Sequence, residues 1–445
     1  MEEYIEKKKT IDLSYQYTFP ENLKIIRHNG KILIISPETA NWIVLNNESQ
    51  LTFFNLLLLN PIGQSIESFN GLQEDLEHVL IQIEAKQFCQ RQIRKRENTK
   101  LTMLHLYLTN ECNMRCPHCY MWAGSKLDNE ITLEEILQLF SNFALHGGKT
   151  VVLSGGEVCL RKDLLDILKG AYNNGLKIQL ITNGSLWNQS LIIEASKYIS
   201  QIRVSIDGYS ENENKLVRGL GSFDKALNTI DSFLKQGIKT ELAITPLYKK
   251  DLRQHIQDYV DFIIGLNTKY KEHPFSIILS KDLLDGRNVK LSKEEKEEYR
   301  EITNSIDYLC YGRNSSDESF FNARKEKMII DCCTYGELTI SSIGDIYFCS
   351  RVTSMSPIGN IKTISFEEIV KLSIEAKRLA NVDNLYPCRE CELKYICGGD
   401  CRLIYFDGFD EISAFENKKY NRICSEENKF KYYNLMIDMN EYLFE

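Results

Sequence analysis

Proline is scarce in this chain, 8 residues in 445, which argues against long proline-rich spacers. Long apolar runs are missing. The most apolar stretch, Phe53–Leu59, is far short of the ~20 residues that span a bilayer. The opening residues, MEEYIEKKKTIDLSY, have no apolar core of the signal-peptide kind, so the expected location is the cytoplasm, with no membrane partner. Positive charge is also short: 54 Lys and Arg against 62 Asp and Glu leave −8. A nucleic-acid partner is therefore not expected, because phosphate binding needs a basic surface. No low-complexity tract and no internal repeat beyond a strand–helix alternation is visible.

What is present is ordinary globular material with one exception. Apolar residues make up 43% and charged residues 26%, which excludes wholesale disorder and collagen-like structure. At ~100–200 residues per domain the length suggests two to four domains, with enough core to need no disulfides. The exception is cysteine. There are 14, and seven lie between Cys332 and Cys401. In a reducing compartment such a density reads as metal ligation or redox chemistry.

The chain divides by pattern. Residues 1–98 hold two strand-like runs, Lys31–Ser36 and Trp42–Leu45, then helix-like stretches near Ser49–Leu59 and Leu72–Lys86. The basic, polar run Gln90–Asn98 reads as a linker. Between 99 and 280, six short apolar runs (101–109, 149–154, 177–182, 202–207, 239–245 and 275–280) alternate with amphipathic segments. One of these opens with a capping box, Thr132 and Glu135. Short apolar strands suit burial on both faces. Six βα units imply a parallel sheet, open or curled into a partial barrel. Residues 281–331 form a polar, helical bridge, and 332–445 a Cys-rich, Gly-punctuated lobe organised around metal more than around apolar core.

Cys112, Cys116 and Cys119, spaced Cys-x3-Cys-x2-Cys, fall in the loop after the first of the six strands, at the end where parallel sheets bind ligands. Three thiolates can hold three irons of a [4Fe–4S] cluster and leave the fourth open. A structural zinc site would want a fourth protein ligand. This segment resembles the radical S-adenosylmethionine (SAM) enzymes, in which the open iron chelates SAM and one electron cleaves it to methionine and a 5′-deoxyadenosyl radical. Further matches follow at the later strand ends. Ser154, Gly155, Gly156 and Glu157 resemble the family's Gly-Gly-Glu motif for the SAM amino group, with Val158 where the family usually has proline. Thr182, Asn183, Ser205 and Asp207 hold the places that serve the ribose or carboxylate. Arg218 resembles a carboxylate-contacting arginine, and His118 the residue beside adenine.

The C-terminal series Cys388, Cys391, Cys397, Cys401 and Cys424, preceded by Cys332, Cys333 and Cys349, resembles the SPASM extension of radical SAM enzymes. That resemblance implies two auxiliary [4Fe–4S] clusters, three in all. Cys388, Cys391, Cys397 and Cys424 would hold one. Cys349, Cys401 and either Cys332 or, in better accord with the family spacing, Cys333 would hold the other. Its fourth ligand is Cys310, the remaining member of the Cys pair, or a substrate thiolate. Two structural zinc sites are the alternative, distinguishable by metal and sulfide content. Cys89 and Cys159 fit no spacing and read as small apolar residues.

Residues 1–90 resemble a small winged-helix domain of the pyrroloquinoline quinone chaperone type, the leader-peptide recognition module of peptide-modifying enzymes. The expected fold is therefore α/β: a partial (β/α)6 TIM-like barrel, an N-terminal winged-helix-like domain and a C-terminal Cys-rich iron–sulfur SPASM domain. The expected activity is that of a peptide maturase of the sactipeptide/ranthipeptide type, joining Cys sulfur to carbon in a ribosomal precursor. Its partners would be the precursor, held by its leader, and an electron donor such as flavodoxin or ferredoxin. Carbon–carbon crosslinking and sulfatase-type formylglycine formation are the alternatives. No general base is assigned, because that needs geometry.

Overall fold

The computed structural model describes residues 12–89, 100–312, 333–352, 355–411, 416 and 420–444. The first element group is a three-stranded antiparallel sheet, β1 (Lys24–His28), β2 (Lys31–Ser36) and β3 (Asn41–Leu45), in that order. Asn29 and Gly30 both take positive φ, 47° and 72°, as a tight two-residue hairpin turn requires. Three helices follow: α1 (Glu48–Leu59), capped by the Asn47 side chain, α2 (Ile62–Ser68) and α3 (Gln73–Ala85). Ile34 and Ile43 pack with Phe53, Phe54, Leu57, Val79 and Phe88 in one small core. Alternate residues Leu33, Ile35, Trp42 and Val44 join the main core instead. Burial on both faces explains why β2 reads KILIIS without a polar break.

The second group begins with β4 (Met103–Tyr107) and runs through α4 (Leu133–Leu145), β5 (Thr150–Ser154), α5 (Leu164–Asn173), β6 (Lys177–Thr182), α6 (Gln189–Ala195) and β7 (Gln201–Ile206). It continues with α7 (Glu211–Arg218), α8 (Ser222–Lys235), β8 (Lys239–Ile244), α9 (Ile256–Lys269) and β9 (Phe275–Leu279). The six strands pair in parallel in chain order. The Thr132–Glu135 capping box is formed: the Glu135 amide donates to Thr132 Oγ1 at 3.2 Å and the Thr132 amide to Glu135 Oε2 at 2.8 Å.

Strand faces divide cleanly. Leu104, Leu106, Val151, Leu153, Ile178, Leu180, Ile202 and Val204 are fully buried in the main core. The residues between them, His105, Tyr107, Ser154, Ile181, Arg203 and Ser205, line a cavity on the opposite face. This is the partial barrel, its concave side polar.

The sheet continues past β4 into the C-terminal lobe. Strand β10 (Leu338–Ile340) runs parallel to β4, and β11 (Asp345–Tyr347) and β12 (Gly359–Asn360) add antiparallel, giving nine strands. Helix α10 (Lys293–Tyr311) packs against α9. The lobe adds α11 (Phe366–Ala380), the single turn α12 (Lys394–Cys397) and α13 (Glu426–Phe444). Helix α13 returns to the first sheet, where Trp42 Nε1 donates to the Met436 carbonyl at 3.0 Å. No helix among the described residues is long and apolar enough to cross a membrane.

Candidate active site

The loop after β4 carries Cys112, Cys116 and Cys119, and backbone bonds set its shape. Cys112 N donates to Gly124 O at 2.9 Å and Gly124 N to Asn110 O at 2.7 Å; Cys119 N donates to Cys116 O at 3.2 Å. The buried Glu130 carboxylate holds the start of the loop, accepting from Thr109 Oγ1 at 3.0 Å and Asn110 N at 2.7 Å. From the far side Arg287 donates to the Cys116 carbonyl at 3.3 Å and also to the Ala123 carbonyl, while Asn288 N donates to Pro117 O at 2.8 Å. The loop is thus clamped from both sides before any cofactor enters.

The three thiols open on one cavity of about 340 Å³. Ser154, Gly155 and Gly156 line it, as do Thr182, Asn183 and Ser205. His118 and Arg218 complete the expected residues on its wall. The glycines are required by a close backbone approach. A Cβ on Gly156 would lie 2.0 Å from the Glu111 carbonyl oxygen, and one on Gly155, whose φ is +139°, 2.5 Å from that of Thr109. The Gly-Gly turn therefore lies directly on the cysteine loop, held by Gly156 N to Thr109 O and Glu157 N to Glu111 O, both at 2.7 Å.

Two expected residues lie behind the wall. Glu157 is fully buried and accepts from Thr182 Oγ1 at 2.7 Å, Asn183 N at 2.8 Å and Cys159 N at 3.2 Å. Burial raises its pKa against these hydrogen bonds. It fixes two of the residues that do line the cavity. Asp207, also buried, receives Arg218 through Nε at 2.6 Å and Nη2 at 3.2 Å, and His118 Nε2 lies 3.6 Å away. Burial works against the Arg218 charge, but Asp207 and the neighbouring thiols raise its pKa further. The site thus keeps a permanent cation beside the cysteines, a match for a carboxylate. Burial also lowers the His118 pKa against the pull of Asp207.

The protein surroundings of the loop do not by themselves favour thiolates. Burial pushes the Cys116 thiol up to about 11 and raises that of Cys112. Iron binding must therefore displace protons. Soft sulfur donors on a loop already shaped, beside a buried cation and a polar cavity, fit an iron–sulfur cluster with a bound amino acid-like ligand.

The C-terminal cysteines form two neighbourhoods. Cys349 interacts with Cys333 and Cys401. Cys388 interacts with Cys424 and Cys391 with Cys388, and Arg422 is held in its charged form partly by Cys397, Cys424 and Cys388. Members of each grouping that the SPASM resemblance implies are thus neighbours. Cys310 stands apart, with Asp307 and Lys281 as its charged neighbours. Cys332 lies outside the described residues. Cys89 packs against the small N-terminal core and Cys159 against the main one. Among the described residues no three His, Cys, Asp or Glu side chains are close enough to hold a single metal ion.

Sequence reading missed several residues of this region. His105, Tyr107 and Arg203 interrupt strand runs that read as buried on both faces; their two-residue spacing is the available signal. Glu130 and Arg287 carried no motif. Tyr120, next to Cys119, donates at 3.2 Å to Tyr107, whose own hydroxyl donates to Ser350 O at 2.7 Å, two links from the cysteine loop to the lobe.

Comparison with known proteins agrees with this geometry. Residues 106–263 match the Radical SAM superfamily model, and residues 332–392 that of the SPASM iron–sulfur cluster-binding domain. The chain is 32% identical over 148 residues to Fe-coproporphyrin III synthase of Methanosarcina barkeri, 33% of this chain and 37% of that protein. It is 28% identical over 142 residues to the sporulation killing factor maturation protein SkfB of Bacillus subtilis, 32% of this chain and 34% of that protein. The aligned stretches thus span little more than a third of these relatives. Among solved structures, anSMEcpe with bound AdoMet and Cp18Cys peptide shares the fold, with a TM-score of 0.51 and 18% identity over 77% of this chain and 99% of that one. SAM and [4Fe–4S] clusters are the cofactors these domains take. The chain is a radical SAM enzyme with a C-terminal SPASM domain.

Proposed function

We propose that this enzyme matures a ribosomally made peptide by joining a Cys sulfur to a carbon atom of the same peptide. The observation that carries this reading is a chamber between the two thiol groups. The cavity of Cys112, Cys116 and Cys119 shares Tyr120, Asp282, Leu283 and Leu284 with a second cavity of about 580 Å³. The far wall of the second includes Arg351 and Leu403, each two residues past a lobe cysteine, Cys349 and Cys401. A peptide in that chamber would lie beside the SAM cavity and near the segments that carry Cys349 and Cys401, which suits a reaction that removes hydrogen at one site and engages sulfur at the other.

When bound, the cluster and SAM supply one-electron chemistry that removes hydrogen from an unactivated carbon. The chain's own residues bind and orient. Cys112, Cys116 and Cys119 hold the first cluster. Arg218, steadied by Asp207, takes the SAM carboxylate. Ser154, Gly155 and Gly156 take the amino group, with Glu157 behind them. Thr182, Asn183 and Ser205 serve the ribose, and His118 flanks the adenine. Cys388, Cys391, Cys397 and Cys424 hold one auxiliary cluster, and Cys333, Cys349 and Cys401 the other. The β1 edge of the N-terminal sheet suits a leader strand that adds by β-augmentation, whereas on the β3 edge Gln82 already bonds the Val44 amide and carbonyl. The likeness to a sporulation killing factor maturation protein supports a peptide substrate. The short match to a coproporphyrin-acting relative covers a third of this chain and does not select a substrate.

The test is anaerobic reconstitution with iron, sulfide, SAM, reductant and a Cys-containing precursor encoded nearby, then thiol alkylation and tandem mass spectrometry. Loss of two hydrogens per link with the cysteines blocked is the expected result. The same loss with alkylatable cysteines turns the reading to carbon–carbon crosslinking. A Cys converted to formylglycine turns it to sulfatase-type maturation.

A further inference from the structure

Resting on that peptide reading, we infer that the chamber beside the SAM cavity is a recognition pocket for an acidic side chain, Asp or Glu, next to the modified residue of the substrate. Its walls carry four cations, Lys290, Lys296, Arg300 and Arg351, against two carboxylates, Asp282 and Asp285. The pairings leave a surplus. Arg300 donates from Nε to Asp282 Oδ1 at 2.9 Å, and Arg351 Nη2 lies 3.6 Å from the other oxygen of the same carboxylate. One carboxylate between two guanidiniums neutralises one of them. Lys296 is 3.0 Å from Asp285. No carboxylate among the described residues lies within ion-pair distance of Lys290. Two positive charges are therefore left over, one shared by the half-buried Arg300 and Arg351, where attraction is screened less than on a flat surface, and one on the exposed Lys290.

The rest of the wall matches the same ligand. Leu403 and Ile404 offer apolar surface to the stem of a side chain whose head is charged. A Lys or Arg at that position would meet like charge. The shared wall at Asp282, Leu283 and Leu284 sets this pocket one step from the cysteine loop. An acidic residue anchored there places its chain neighbour in front of the SAM cavity, so the pocket chooses which residue is presented.

Equilibrium dialysis tests the inference without turnover. The holoenzyme, reconstituted anaerobically with SAM, is dialysed against an equimolar mixture of capped nonapeptides that share a central Cys. One neighbouring position varies among Glu, Asp, Gln, Asn, Lys and Ala, and mass spectrometry reads the distribution. Glu and Asp peptides are expected to be retained about tenfold more than their amides, the size of one charge-assisted contact. The double variant K290Q/R300Q should lose that preference, and K290R/R300K should keep it. Lys290→Glu, on an exposed loop, should shift retention toward the Lys peptide. Equal retention of acids and amides by the wild type, or an acid preference that survives in K290Q/R300Q, overturns the inference. Acidic peptides that are retained but leave a turnover reaction with unchanged mass count against the thioether reading and not against the pocket.

Discussion

The two thiol-bearing regions of this molecule are built in opposite ways. The SAM loop is a short excursion from a barrel that is already complete: six parallel strands of five or six residues, the helix-facing rows of β4 to β8 buried in the main core. The lobe has strands of three, three and two residues, and its cysteines lie on turns and on the single turn α12. Its interior mixes apolar side chains, Phe348, Leu385 and Ile396 among them, with buried polar groups. Arg402, fully buried, donates to the carbonyls of Ala380, Gly398 and Asp400, while Asp400 receives Arg422 and, at 2.8 Å, Tyr432. The first thiols sit on a loop clamped by Glu130, Arg287 and backbone bonds at the rim of the barrel; in the lobe, Cys388 and Cys397 are themselves part of the buried core, beside Leu385, Ile396 and Phe406. The lesson is that one ligand type can be a guest of one fold and a structural member of another.

The sharpest way to break that contrast is to remove one cysteine from each region. Cys116→Ala should abolish 5′-deoxyadenosine formation while circular dichroism and protease resistance stay near wild type. Cys397→Ala, at a buried position, should open the lobe to limited proteolysis. A Cys116→Ala protein that unfolds, or a Cys397→Ala lobe as resistant as before, would erase the distinction. Next in size is Arg402→Ala. It strips three carbonyls of a charged donor and leaves a cavity, and should cost about 3 kcal/mol or more in denaturant unfolding. The lobe should melt ahead of the barrel.

Acidity should act on the two regions with opposite sign. On the barrel's inner face, burial and then the Arg203 charge push the His105 pKa down from 6.5 to about 4. The unfolded chain binds more protons in between, so this contribution is full above pH 6.5 and is lost as pH falls through 4. In the lobe, burial pushes Glu411 up from 4.5 to about 7. One of its oxygens accepts from Phe348 N at 3.0 Å, and the other has no hydrogen-bond partner among the described residues. That contribution is full below pH 4.5 and fades as pH rises through 7. Melting of His105→Gln and Glu411→Gln from pH 4 to 8 should remove one arm each; a single shared pH dependence would contradict this. The smallest effect is Thr132→Ala at the cap of α4, about 1 kcal/mol, read as a small shift in midpoint without loss of SAM cleavage.

Much of this was legible beforehand because repetition carries it. Six strand runs, the capping box and the three cysteines after the first strand are regular enough to place the SAM cavity at a stated sheet end. Other parts had no period to show. β1 is half exposed and α2 is two turns long. β10 to β12 are too short to alternate, so their addition to the barrel sheet beside β4 is a tertiary event. The polar residues inside the barrel were overlooked because the strands as a whole read apolar; only the helix-facing row is. Glu157 and Asp207 were noticed through their motifs, but nothing in a motif distinguishes a residue that touches a ligand from one that holds its neighbours. That difference lies in the hydrogen bonds to Thr182 and Asn183 and in the pairing with Arg218.

The return of α13 to the first sheet has a consequence for biosynthesis. Leu33, Ile35, Trp42 and Val44 are made early, yet the helix that covers them, with its Met436 carbonyl for the Trp42 indole, is made some four hundred residues later. On the ribosome the N-terminal sheet waits with one greasy side bare while barrel and lobe are synthesised. The sheet is finished only when residues 426–444 have cleared the exit tunnel, so a nascent chain stalled before Glu426 presents that face to chaperones, and a unit made early is sealed late.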